Sequence, residues 1–264
     1  MSARAGLDAV VFDAGGTLIR LDFEWMSAEV TRLGFPLDAP RLRRGEVDGR
    51  RRFDAARRTP LSAWTSGDGS VGDDTRAYFG GMLEACGVPA PLIEQALPLF
   101  HARQRGPGLW TRAAEGAREA IDALREAGLP MACVSNSDGR AEYHLKECGV
   151  RDGLAFVVDS HVEQVEKPDP RIFRIALDRL GVPADRALYV GDIVSVDRAG
   201  SAATGMHFVL IDPYGDYAPE GVASIARIAE LPSWIQSRFA RPGDAAAPTH
   251  AIGPSRETAG EGSA

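Results

Sequence analysis

Five short apolar runs, at residues 9–12, 131–134, 155–158, 187–190 and 207–211, constrain this chain more than any other feature. Each is four or five residues long and shows no polar alternation. A strand with one face in water alternates, so an unbroken run marks a strand covered on both faces, as in a parallel sheet. Helix-length stretches lie between the later runs. One spans 113–127; a second spans 140–148, with Asp138 or Ser137 as N-cap and Gly149 as stop. Two more span 171–180, ending at Gly181, and 196–203, ending before Gly205. Strands alternating with helices imply an α/β fold, a doubly wound parallel sheet.

One connection breaks the pattern. About 90 residues with no strand-like run separate the first run from the helix at 113, whereas a crossover needs only about a dozen. This stretch is expected to be an all-helical insertion with helices at 24–33, 41–58, 74–86 and 90–103, divided by a Gly/Ser/Asp-rich loop at 65–73. The implied organisation is a core of residues 1–19 and 111–239, a helical unit at 20–110, and a tail at 240–264. Ile252 is the tail's only large apolar residue, too little to offset ordering entropy, so the tail is expected to be disordered.

Composition narrows the partners. The 37 acidic side chains outnumber the 30 basic ones, for a net charge of −7, which argues against nucleic acid and anionic membranes. No apolar run approaches the roughly 18 residues of a spanning helix, and the first residues lack the apolar stretch of a signal peptide. Cys86, Cys133 and Cys148 show no CxxC spacing and are expected as reduced thiols. The expected location is the cytoplasm. Eight arginines fall between residues 41 and 58 against three acids, with Phe53 the only aromatic there. Without a stacking platform this block is not a nucleic-acid groove; it reads as a solvated helix face, or as a means of steering an anionic substrate.

Ligands of open parallel sheets bind beyond the carboxyl ends of the strands. The residues there are Asp13, Ser135, Asp159 with Ser160, Asp192 and Asp212. Such a row of carboxylates repels itself, so a cation or a reacting group is the natural reason for it.

Four segments, in order, carry a resemblance. Val11-Phe12-Asp13-Ala14-Gly15-Gly16-Thr17-Leu18 resembles the first motif of the haloacid dehalogenase-like hydrolases, and Val134-Ser135-Asn136 the second. Lys167-Pro168-Asp169-Pro170-Arg171-Ile172-Phe173 is similar to their lysine motif, and Val190-Gly191-Asp192 with Asp197 to the fourth, GDxxxxD. The resemblance covers the core to about residue 211. It implies a Rossmann-like core with an inserted helical cap, Asp13 as nucleophile, and Mg²⁺ held by Asp13, the Gly15 carbonyl, Asp192 and Asp197. It further implies that Ser135, Asn136, Thr17 and Lys167 bind the phosphoryl group of a small phosphorylated substrate, Ser135 and Lys167 also serving the reaction. Asp197 would bind a metal water or orient Lys167. The chemistry is coherent: a hard cation screens the repulsion between a carboxylate nucleophile and a phosphoryl group, and a lysine balances charge in the transition state.

One position departs from the family. Most phosphatases of this superfamily carry a second aspartate two residues after the nucleophile to protonate the leaving oxygen; here that residue is Gly15. Asp22, Asp138 and His144 are the other candidates to supply the proton. The departure leaves three readings: a phosphatase of low activity, a 2-haloacid dehalogenase, or a catalytically impaired binding protein. Retention of Asp192 weighs against the dehalogenase. A Schiff-base hydrolase is excluded, because no lysine lies between Leu21 and Trp110.

Overall fold

The computed structural model describes residues 5–56 and 75–240. The expected loop at 65–73 and all but the first residue of the expected tail lie outside the described residues. A six-stranded parallel sheet forms the centre: β1 (Ala9–Phe12), β4 (Met131–Ser135), β5 (Val157–Asp159), β6 (Ala187–Gly191), β7 (His207–Ile211) and β8 (Ser224–Ile225), in the order β5-β4-β1-β6-β7-β8. Val10 lies opposite Met131 on one side and Leu188 on the other. Neighbouring side chains leave through opposite faces. Val10, Phe12, Cys133 and Leu188 join a core containing Ile121 and Leu124 of α5 (Ala117–Glu126). Val11, Val134 and Tyr189 join Ile172 and Phe173 of α8 (Pro170–Leu180). Both faces are dry, which is why the strands read as unbroken apolar runs.

The strand order reverses at β1, whose neighbours β4 and β6 are reached by crossovers in opposite directions. This is the switch point where a crevice opens, and Asp13, Ser135 and Asp192 sit at its rim.

Between β1 and β4 the chain makes an antiparallel ribbon of β2 (Ile19–Leu21) and β3 (Trp110–Ala113), not expected from the sequence. It moves the start of the helix anticipated at 113 to Ala117, after Gly116 at φ 78°. The ribbon is legible only as a pair, since a three-residue strand carries no periodicity of its own. β8 and a last helix, α10 (Leu231–Arg238), were likewise too short or too mixed to read.

The ribbon carries α1 (Phe23–Arg32), α2 (Ala39–Ala56), a π-turn at Arg76–Gly80 leading into α3 (Gly81–Ala85), and α4 (Ala90–Arg105). These helices pack around their own apolar cluster, including Met26, Leu42, Phe79, Met82 and Phe100. Gly45 and Gly49 of α2 let this happen. A Cβ at Gly45 would lie 2.7 Å from the Met82 carbonyl, and one at Gly49 would lie 2.4 Å from that of Tyr78. The two backbones therefore touch, a gain that outweighs the roughly 1 kcal/mol cost of each helical glycine.

One cap differs from expectation. Neither Asp138 nor Ser137 caps α6 (Ala141–Glu147). Asp159 at the end of β5 accepts from the backbone N–H of Gly139 and Ala141, at 3.2 and 3.1 Å, and also from that of His161, at 3.0 Å, before α7 (Ser160–Glu163). One strand-end carboxylate thus serves two helix N-termini, while Asp138 pairs with Arg140.

Candidate active site

The rim brings together Asp13, Asp192 and Asp197, each offering an oxygen within 4.8 Å of the others. Asp13 follows β1 directly, Asp192 follows β6, and Asp197 comes from the π-turn Val194–Arg198, before α9 (Ala199–Thr204). Lys167 lies among them. Its Nζ donates to Asp13 Oδ1 at 2.5 Å, to Asp197 Oδ1 at 2.7 Å and to the Tyr189 hydroxyl at 3.0 Å. The other Asp197 oxygen accepts from the N–H groups of Asp192 and Ile193, both at 3.0 Å. Both Asp197 oxygens are therefore engaged, one with Lys167 and one with the turn that presents Asp192. Two glycines allow this closeness. A Cβ at Gly16, at φ 83°, would overlap Asp192 Oδ2 at 2.1 Å, and one at Gly191 would meet Asp197 Cγ at 2.5 Å.

All four charges are buried. Burial pushes Asp13 up to about 6 against the pull of Lys167, and pushes Asp192 well above the usual carboxylate range against that of Arg50. Burial alone would lower Lys167; the carboxylates of Asp13 and Asp197 more than reverse this and hold it protonated. Three carboxylates thus crowd one ammonium, and Asp192 Oδ1 is buried with no hydrogen-bond partner. An orphaned carboxylate oxygen beside a second carboxylate is the donor set a hard divalent cation prefers, so the residues present fit Mg²⁺.

The remaining candidates surround this centre unequally. Ser135 ends β4 and is buried. The Asn136 side chain reads the Lys167 backbone in both directions: its Nδ2 donates to the Lys167 carbonyl at 2.9 Å, and its Oδ1 accepts from the Lys167 N–H at 2.8 Å. Thr17 is buried with its hydroxyl unpartnered. Gly15 lies beneath Trp110: a Cβ there would fall 2.9 Å from the indole nitrogen. The place of the missing acid is covered by an aromatic ring, and the backbone of Gly15 is not left-handed.

None of the substitute acids joins the cluster. Asp22 caps α1 and pairs with Arg103 and Arg112. Asp138 is held below the usual carboxylate range: burial would raise it, but Arg140 more than offsets this. The buried ring of His144 packs against Gly108.

Sequence reasoning missed Arg50. From the inserted helix α2, its Nε lies 3.2 Å from Asp192 Oδ2 and its Nη2 3.1 Å from Glu46, while Glu46 accepts from the Tyr78 hydroxyl at 2.8 Å. Four residues on, Asp54 accepts from the Ser195 N–H at 2.7 Å and from the Tyr217 hydroxyl at 3.2 Å. The arginine block is therefore not wholly a solvated face. The signal was present, since Glu46, Arg50 and Asp54 recur every four residues on the side of Leu42.

A family model described as haloacid dehalogenase-like hydrolase matches residues 7–205. The haloacid dehalogenase-like hydrolase domain-containing protein 3 of Mus musculus is 43% identical over 130 residues, covering 47% of this chain and 50% of that protein. Its Danio rerio counterpart is 32% identical over 177 residues, covering 62% and 72%. A phosphoglycolate phosphatase of Rhodospirillum rubrum is 36% identical over 135 residues, covering 48% and 54%. The chain thus spans about half the length of the mouse and Rhodospirillum proteins. Among solved structures, an L-2-haloacid dehalogenase superposes with TM-score 0.57 at 24% identity, covering 88% of this chain and all of that one. A HAD phosphatase from Thermococcus onnurineus gives 0.53 at 22%, covering 89% and 100%. At such identities the likeness is one of fold, shared alike by a dehalogenase and a phosphatase.

Proposed function

The chain belongs to the haloacid dehalogenase-like hydrolases, and from that premise we propose that it is a Mg²⁺-dependent phosphatase acting on small phosphate esters through an aspartyl-phosphate at Asp13. The observation that carries this reading is the orphaned Asp192 oxygen beside a nucleophile already paired with a buried lysine. A dehalogenase releasing halide has no need of a cation there.

Asp13, the Gly15 carbonyl and Asp192 would hold Mg²⁺, with Asp197 alongside. When bound, the ion supplies positive charge that lets an anionic nucleophile approach an anionic phosphoryl group. Ser135, the Asn136 N–H and Lys167 hold the phosphoryl oxygens. An Asp13 oxygen forms a bond to phosphorus as the ester P–O bond breaks, and the leaving oxygen departs with the electron pair. Water then attacks phosphorus, releasing phosphate and restoring Asp13. Lys167 stabilises the charge that builds on both carboxylate and phosphoryl oxygens. Asp197 and Asn136 position it, one from the ammonium end and one from the backbone. The helices α1 to α4 act as a cap over this rim, and the protein works in the cytoplasm on a small molecule. Among the described residues no helix is long and apolar enough to cross a membrane.

With Gly15 under Trp110, no group there protonates the leaving oxygen. A positioned acid is worth about 10²–10⁴-fold, so the rate should fall steeply as leaving-group pKa rises. Acetyl phosphate and p-nitrophenyl phosphate should be hydrolysed in Mg²⁺, and alkyl phosphates very slowly. A plot of log rate against leaving-group pKa tests this. Halide release from 2-chloropropionate without metal would replace the phosphatase with a dehalogenase. Mg²⁺ binding without turnover of even acetyl phosphate would leave a binding protein.

A further inference from the structure

Beside the acidic centre, between α2 and the turn after β1, lies a cleft of about 50 Å³ lined by Gly16, Thr17, Arg43, Glu46, Arg50 and Arg227, among others. At roughly 10–15 Å³ per water it holds a few waters, the room a carboxylate or phosphoryl head needs. It borders the reaction centre, because Gly16 and Arg50 line it and both abut Asp192. Two features mark it as built for an anion. The Thr17 hydroxyl is buried without a partner, and a buried hydroxyl left unpaired is costly unless a ligand completes it. Arg43 is half-buried and, among the described residues, has no ion-pair or hydrogen-bond partner. The other arginines of the lining are engaged: Arg20 with Glu24, Arg50 with Glu46 and Asp192, Arg227 with Glu230.

We infer that this cleft is a second anion subsite, read by Arg43, Thr17 and Arg50, and that the substrate is a small phosphate ester carrying a second negative group, a carboxylate or another phosphate. The inference rests on the phosphatase reading for the role of the first phosphoryl group. A guanidinium meeting an anion in a partly desolvated cleft makes a charge-assisted pair, strong enough for at least a tenfold preference.

3-Phosphoglycerate and glycerol 3-phosphate differ by one carboxylate in place of a hydroxymethyl group. Both are alkyl esters, turned over slowly without an acid, so their binding to the full chain in Mg²⁺ can be measured by calorimetry. Affinity for 3-phosphoglycerate should exceed that for glycerol 3-phosphate by about tenfold or more. 1,3-Propanediol bisphosphate against propyl phosphate tests a second phosphate in the same way, and whichever pair shows the larger ratio names the group. Arg43→Gln should bring the ratio to within about twofold of unity, and Arg43→Lys should restore part of it. Arg44→Gln, which removes the neighbouring cation paired with Asp216, should leave the ratio as it is. Equal affinities within both pairs, or a ratio that survives Arg43→Gln, overturn the subsite. Acetyl phosphate hydrolysis is followed in parallel. Hydrolysis without a ratio rejects the subsite alone, whereas a ratio without hydrolysis supports the subsite and rejects the phosphatase.

Discussion

Asp22, where β2 turns into α1, and Asp192, where β6 ends, are buried to nearly the same degree, at 3% and 2% exposure. Their surroundings differ. Asp22 accepts from the Trp25 N–H at 3.1 Å and pairs with two arginines, Arg103 at 3.2 Å and Arg112 at 3.3 Å. Both oxygens are engaged, and the group joins the first helix of the insertion to its returning strand. Asp192 has one arginine at one oxygen, nothing at the other, and two more carboxylates close by. Burial is therefore a poor guide to role. A buried charge whose partners are complete holds structure, and one left incomplete against like charges is kept for something that arrives later.

The sharpest way to break this comparison is to neutralise each aspartate. Asp192→Asn should hold or raise the melting temperature, because it relieves like-charge crowding. It should lower Mg²⁺ affinity by more than the roughly 10–100-fold that loss of an outer-shell partner costs. Calorimetry and thermal melts of the same variant read both, and unchanged affinity would remove Asp192 from the metal site.

Asp22→Ala should do the reverse. It loses a helix cap, worth about 1 kcal/mol, and strands two arginines. These are 22% and 52% exposed, so water limits the total to about 1–3 kcal/mol. The melting temperature should fall by several degrees with Mg²⁺ affinity unchanged. A variant that melts like wild type would mean that the junction of β2 and α1 does not need its charge.

Arg50→Met gives a smaller, mixed result. Asp192 loses the guanidinium paired with it, so Mg²⁺ affinity should rise several-fold and the stabilisation by Mg²⁺ should grow. If affinity falls instead, Arg50 helps to shape the metal site.

The smallest effect concerns His144, packed on Gly108 beside the returning strand. Burial, aided by Arg140, holds its pKa below the usual 6.5. As pH falls, the unfolded chain therefore takes up this proton before the folded one does. The stability tied to the neutral ring is whole above about pH 6.5 and declines below it. His144→Asn should flatten the drop in melting temperature between pH 7.5 and 5 relative to wild type. Parallel curves would show that this ring does not contribute.

Much of the sheet edge was legible because its signals are local. A run such as Val10-Val11-Phe12 can be buried on both sides only in the middle of a sheet, and the polar residue ending it must then stand at the rim. Asp13, Ser135 and Asp192 followed from that alone, and the order of the motifs added Lys167 and Asp197. Relations across the molecule did not follow. Asp159 caps α6 from a strand that lies after it in sequence, where a reading of neighbours pointed to Asp138. Trp110 covers Gly15 from a strand 95 residues away.

The sequence by itself determined the five longer strands of the sheet, most of the helices and the polar residues at those strands' carboxyl ends, because three to five consecutive side chains decide burial and hydrogen bonding within one strand or turn. Tertiary structure alone decided what those ends face. Arg50 reaches Asp192 only because α2 packs backbone to backbone on the π-turn and α3 at Gly45 and Gly49, and because Asp54 docks that helix on the loops after β6 and β7. Such contacts depend on the summed packing of helices far apart in the chain, and no local pattern of residues carries that information.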